Sequence, residues 1–150
     1  MVKSNGDYYY VDVTWGDASY DTTADPEMAA LPSLPEVNYE YLCVTTPMLE
    51  RGHRIDNDFP VPFCSATKDY YFIREGNYFE YVDTNRLNAV FDKAYSEGAD
   101  KVTIKCSDQA VFNQMEKYLT KDSHIFDYLR GSKNVNYVTL QESDELIFYL

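Results

Sequence analysis

Side chains able to act as nucleophile, base or metal ligand are few in this chain, apart from its carboxylates. It has two histidines, His53 and His124, and three cysteines, Cys43, Cys64 and Cys106, beside 25 Asp and Glu. Among the carboxylates Asp12 stands apart, in the stretch Gly6-Asp-Tyr-Tyr-Tyr-Val-Asp-Val-Thr-Trp-Gly-Asp17. Period-two alternation sets Tyr8, Tyr10, Asp12 and Thr14 on one face of a strand and Tyr9, Val11, Val13 and Trp15 on the other. A charge at mid-strand among β-branched and aromatic residues is costly unless something hydrogen-bonds to it, so Asp12 calls for a partner. The plainest reading is a strand Asp bonded to a Tyr hydroxyl or to backbone.

The other reactive residues carry less. His53 precedes Asp56 and Asp58, a set that could hold a divalent cation through oxygen ligands or could equally be a solvated acidic loop. His53, Cys64 and an Asp have the residue types of a triad, at a spacing shared with many inert loops. No Cys-x-x-Cys pair occurs, so the cysteines define neither a zinc site nor a full disulfide framework; one pair plus a free thiol stays open. Cys64, between Phe63 and Ser65, and Cys106, on the apolar face of its strand, read as small packed hydrophobes. His124 follows a helix cap and reads as a surface or capping residue. Trp15 reads as a core residue, with a place lining a cleft as the alternative. No metal site and no cofactor is assigned.

The string Gly-x-Tyr-Tyr-x-Val-Asp-Val-Thr-Trp at residues 6–15 resembles the last core motif of the bacterial transglutaminase-like superfamily, a papain-like group that uses a Cys-His-Asp triad. In that family the Asp of this strand orients a catalytic His carried on the preceding strand in a His-Ala-Trp motif. The resemblance thus gives Asp12 the orienting role. With Asn5-Gly6-Asp7 as the hairpin turn, the preceding strand is entered at about Met1 to Ser4, so the family's His, and its Cys further upstream, belong before Met1. The resemblance extends to about residue 82: an aromatic strand, a Thr-Pro helix start, a His a few residues on, then Pro60-x-Pro62-x-Cys64-x-Ala-Thr67 before a Tyr-rich strand.

The elements that position these residues follow from composition and pattern. A chain of 150 residues with 45% hydrophobic and 16% aromatic content folds despite its net charge of -12. Acidity is concentrated at the front: residues 1–50 hold nine acids against Lys3, a net of -8, whereas residues 101–150 hold seven acids and six bases. Nucleic acid is a poor partner for such a surface, and so is an anionic membrane. No signal peptide or membrane-spanning run is visible.

From Gly16 to Asn38 the acidic, Pro-rich sequence reads as a long loop, with one helical turn at Glu27–Leu31. Tyr39–Val44 reads as a strand. Thr45, Thr46 and Pro47 form the cap and start of a short helix whose expected end is Gly52. Tyr70–Arg74 and Tyr78–Val82 flank Glu75-Gly76-Asn77 and are predicted to form a hairpin. Asp83 or Thr84 caps a helix with Leu87, Val90, Phe91, Ala94 and Tyr95 on one face, ended by Gly98. Lys101–Cys106 alternates as a strand with Lys101, Thr103 and Lys105 on a wet face. Ser107 or Asp108 caps a helix with Val111, Phe112, Met115 and Leu119 as its stripe. A shorter helix over Ser123–Arg130 buries Ile125, Phe126 and Leu129, and strands at Val135–Gln141 and Glu145–Leu150 close the chain.

The expected class is α+β: residues 1–68 form the end of a transglutaminase-like β core plus a connecting region. Residues 69–150 form an accessory module, a small mostly antiparallel sheet with two to three helices in the order ββαβααββ. The resemblance implies a parent that transfers acyl groups at peptide or Gln amides, on a peptide or protein substrate, at the surface of a bacterium or outside it. A chain bearing only the Asp12 corner is expected to be inactive alone, and its N-terminal strands offer an edge for self-association. The alternative is a non-catalytic module of a bacterial surface protein that binds a cell-wall glycan or a protein through part of its 15 Tyr.

Overall fold

The computed structural model describes residues 1–16, 37–56, 58, 60–131 and 134–150. Most of the loop expected between Gly16 and Asn38, with its helical turn at 27–31, lies outside the described residues. The protein is α+β, and it divides into two compact units, the first ending at Glu75 and the second running from Gly76 to Leu150.

The first unit is built on an antiparallel sheet of three short strands in the order β1 (Val2–Ser4), β2 (Asp7–Val11), β3 (Leu42–Val44). Asn5 and Gly6 join β1 to β2 with φ of 49° and 94°, the left-handed pair that a two-residue hairpin needs, and the register Val2↔Tyr9, Lys3↔Tyr8, Ser4↔Asp7 follows. Between β2 and β3 the register slips: Tyr10 pairs with Val44 but Val11 pairs with Leu42. Cys43, at φ 61°, is the extra residue of this β-bulge. Helix α1 (Thr46–Leu49) follows, with Thr45 accepting from the Met48 N–H and Pro47 in its first turn, as expected. It ends at Glu50 rather than Gly52.

Residues 71–75 correct the predicted hairpin. Their aromatic and β-branched composition favours a strand, but Tyr71–Glu75 is a helix, α2. Tertiary packing decides: Phe72 is buried, Tyr71 stacks on Tyr39 at 3.8 Å, and Gly76 at φ 86° terminates the turn. The order in the second unit therefore begins with a single strand, not two.

That unit holds a mixed sheet in the order β4-β5-β7-β6, where β4 is Tyr78–Phe79, β5 Lys101–Cys106, β6 Tyr137–Leu140 and β7 Glu145–Tyr149. β4 and β5 run parallel, and the other two pairings are antiparallel. Helix α3 (Thr84–Glu97) makes the parallel crossover; Asp83 accepts from Asn85 and Arg86, and Gly98 at φ 67° ends it. Helix α4 (Gln109–Glu116), capped by Asp108, continues into a π-helical turn at Lys117–Lys121. The stripes of α3 and α4 close over Ile104, Leu146 and Phe148 to make the core.

Three expectations fail in this unit for packing reasons. Lys105 is buried, not on a wet face: it lies opposite Glu145 in the β5–β7 register, its Nζ is 3.6 Å from Glu145 Oε1, and it donates to the Ser143 carbonyl. The segment 123–130 keeps only a 3₁₀ turn, His124–Asp127, because Ser123 at φ 65° breaks the helical path. In that turn Ile125 is buried but Phe126 is exposed.

Candidate functional site

Asp12 is not at mid-strand. β2 stops at Val11, and Asp12 Oδ1 accepts the N–H groups of Thr14, at 2.9 Å, and Trp15, at 3.1 Å. A short acceptor side chain that satisfies the next two or three N–H groups converts extended chain into a turn. The Gly16 N–H returns to the Asp12 carbonyl at 3.2 Å and closes it. On the other side the Asp12 N–H reaches the Tyr41 carbonyl at 3.1 Å, just beyond the bulge at Cys43. The strand end, the bulge and the turn thus fix one carboxylate beside one tyrosine.

The second carboxylate oxygen faces a histidine that the motif did not supply. His53 Nε2 lies 3.0 Å from Asp12 Oδ2, with both side chains about one-quarter exposed or less. The contact is an ion-pair approach in which the ring N–H is not aligned for a linear hydrogen bond, and Nδ1 is buried with no hydrogen-bond partner. Helix α1 delivers the ring, since the His53 N–H bonds back to the Leu49 carbonyl at 3.0 Å. Two aromatic rings hold it edge-on: Tyr41 at 4.5 Å and 72°, and Trp15 at 5.6 Å and 69°. Trp15 and Tyr41 meet at 6.0 Å. Tyr41 is buried, whereas Trp15 is 56% exposed, which corrects its reading as a core residue. It covers the imidazole rather than filling the interior.

The electrostatics favour an ionised carboxylate. The Trp15 N–H holds Asp12 below the ordinary aspartate range against burial, the next largest effect, and the Thr14 N–H and the positive character of His53 add to the lowering. Burial, with Glu40 and Asp12 nearby, pushes the Tyr41 hydroxyl up, so it remains protonated. An ionised acceptor against an imidazole can orient a ring and stabilise its charge; by itself it cannot form a covalent acyl intermediate.

The thiols do not complete it. Cys43, Cys64 and Cys106 are all free. Burial raises each of them: Cys43 with Asp69 adding to the effect, Cys64 with a Thr46 hydrogen bond opposing it, and Cys106 to about 12. The Cys64 backbone instead makes a two-way clasp, its N–H to Thr46 Oγ1 and its carbonyl to the Thr46 N–H, both at 2.8 Å. Pro62 beside it accepts from the Tyr10 hydroxyl at 3.4 Å. The Pro-x-Pro-x-Cys segment thereby ties α1 to β2.

Among the described residues no three His, Cys, Asp or Glu side chains gather where a metal ion could be held. Asp56 accepts from the Asp58 N–H at 2.9 Å in a local turn. His124 lies in the second unit, stacked on Tyr118 at 4.4 Å with Nδ1 2.9 Å from Asp127. Of the described tyrosines only Tyr8, Tyr81 and Tyr137 are exposed. Among the described residues no helix is long and apolar enough to cross a membrane. No protein-family model matches the chain, and no curated protein matches it.

The pairing of Asp12 with His53 is the feature that sequence reasoning missed. The sequence marks both residues, His53 in a triad-type set with Cys64 and an unspecified Asp, but no periodicity links a β-turn to a loop after a distant helix. The one local signal is Gly52: a Cβ there would lie 2.5 Å from the Tyr41 hydroxyl, so the loop approaches as closely as only glycine permits.

Proposed function

We propose that the chain carries the carboxylate corner of a Cys-His-Asp acyl-transfer centre of the transglutaminase-like type, acting on peptide or Gln amides at a bacterial surface. The observation that carries this reading is the state of Asp12: ionised, clamped through Oδ1 by two backbone N–H groups, and turned through Oδ2 toward an imidazole. That is the condition an orienting carboxylate must meet, since it acts by fixing a ring and stabilising its charge, not by accepting the proton. On this reading the nucleophilic thiolate and the imidazole that activates it are supplied by another segment. Among the described residues β1 is an edge strand of the first sheet, and such an edge can accept an added strand or a second copy of the chain.

The test is hydroxamate formation from a blocked Gln peptide and hydroxylamine. The chain alone is expected to give none. The full-length product of the gene is expected to turn over, and Asp12→Asn to lower kcat by about 10³–10⁴-fold with the fold intact. Turnover by the chain alone that depends on Cys64, or near-normal kcat in the full-length Asp12→Asn protein, would refute the assignment.

A further inference from the structure

We infer that His53 is a positioning residue for Asp12: it occupies one side of Oδ2, fixes the carboxylate rotamer, and leaves a single acceptor direction for an incoming imidazole. The inference rests on the acyl-transfer reading for its consequence and on geometry alone for its premise. A carboxylate offers about four lone-pair sites. The Thr14 and Trp15 N–H groups take the two on Oδ1, and His53 Nε2, 3.0 Å from Oδ2 without an aligned hydrogen bond, stands against one side of the other oxygen. Both ring nitrogens are buried with no hydrogen-bond partner, so the approach to the carboxylate is electrostatic.

Three neighbours keep the ring in this pose. Tyr41 and Trp15 stand edge-on to it, and the His53 N–H is tied to α1. The Tyr41 hydroxyl lies where a side chain at position 52 would otherwise be. The titratable groups that face the imidazole are Asp12 and Tyr41, with Glu40 and Arg51 acting on Tyr41 from beyond it. The segment after the resembling motif therefore serves the motif: α1 and its following loop return a second imidazole to the carboxylate.

The premise can be read without turnover. Trp15 is the only tryptophan, and a protonated imidazole quenches an indole at contact distance. In the 150-residue chain in mildly acidic buffer, His53→Gln is expected to raise Trp15 emission and His124→Gln to leave it unchanged. Equal emission in wild type and His53→Gln would overturn the contact. Carbon NMR of the Asp12 carboxyl supplies the positioning readout: His53→Leu should raise its titration midpoint, whereas His53→Gln, whose amide can still donate to Oδ2, should raise it less. Equal midpoints in wild type and His53→Leu would overturn the role. In the full-length protein, His53→Leu should lower kcat by about 10–100-fold at little change in KM, the usual scale for loss of a supporting partner, with partial rescue by Gln. If Asp12→Asn abolishes turnover and His53→Leu leaves it unchanged, the positioning role fails and the acyl-transfer reading stands; if Asp12→Asn leaves turnover intact, that reading fails whatever His53 does.

Discussion

Gly52→Ala tests the packing on which the site depends. The added Cβ would stand 2.5 Å from Tyr41 Oη and 3.6 Å from Cζ. Comfortable carbon contacts begin near 3.5 Å, so the overlap is about 1 Å and falls almost entirely on the hydroxyl. The ring cannot simply retreat, because it is buried and abuts His53 and Trp15. Overpacking of this kind costs about 1–3 kcal/mol. Gly52 has no left-handed φ, so alanine also recovers about 0.4–1 kcal/mol by restricting the unfolded chain. The net expectation is a loss of about 1–2 kcal/mol in the first unit, or at least roughly 4–8 °C in Tm for a body of that size. Urea melts followed by Trp15 emission report this unit specifically, since the second unit has no tryptophan. Tyr41→Phe in the same chain removes the clashing atom and leaves the ordinary 3.6 Å contact, so the double variant should recover most of the loss. A Gly52→Ala chain as stable as wild type, or a double variant no better than the single, would refute the reasoning.

Other outcomes follow from particular contacts. Lys105→Leu should destabilise the second unit by about 3–5 kcal/mol, because it leaves Glu145 buried without its lysine, and the pair Lys105→Leu with Glu145→Leu should restore much of that in a calorimetric comparison. Asp83→Ala should cost about 1 kcal/mol, since its carboxylate accepts from the Asn85 and Arg86 N–H groups at 3.0 Å each; thermal melts that place it level with wild type would contradict the cap. The lowered Asp12 carboxyl also sets a sign. Its contribution is complete above the ordinary aspartate value and is lost as pH falls through its folded value. Wild type should therefore lose stability more steeply than Asp12→Asn as pH falls below the ordinary aspartate value, as read by urea midpoints at successive pH.

Local chemistry was enough for much of the second unit. Asp83, Asp108 and Gly98 mark helix ends by hydrogen bonds and backbone freedom that act within a few residues, and the structure keeps all three. The i, i+3, i+4 stripe from Leu87 to Ala94 became core because a helix of that pattern has one face to bury. Asn5-Gly6 likewise made its turn from its own φ preferences. Where local preference and packing disagreed, packing won. Tyr71–Glu75 has strand-forming residues, yet burial of Phe72 and the Tyr39 stack made it helical. Lys105 alternates onto a polar face, yet register brought Glu145 and the Ser143 carbonyl within its reach.

The site divides along the same line. From sequence alone came Asp12 as the residue of interest and its need for partners, because a carboxylate in an apolar strand context implies donors whatever they prove to be. Sequence also supplied the Thr45-Thr46-Pro47 start of α1, legible from local capping rules, whereas Gly52, expected as that helix's end, owes its place to a close approach to Tyr41. Only tertiary structure decided who the partners are. Two of the donors are the backbone N–H groups of a turn that the carboxylate itself creates. The remaining oxygen, Oδ2, faces His53 in an ion-pair approach, with the ring carried there by a bulge at Cys43, a one-turn helix and two aromatic rings. The physical reason is range: caps, turns and periodicity act over a few residues, whereas an ion pair between distant segments depends on sheet register and side-chain packing that no local window contains.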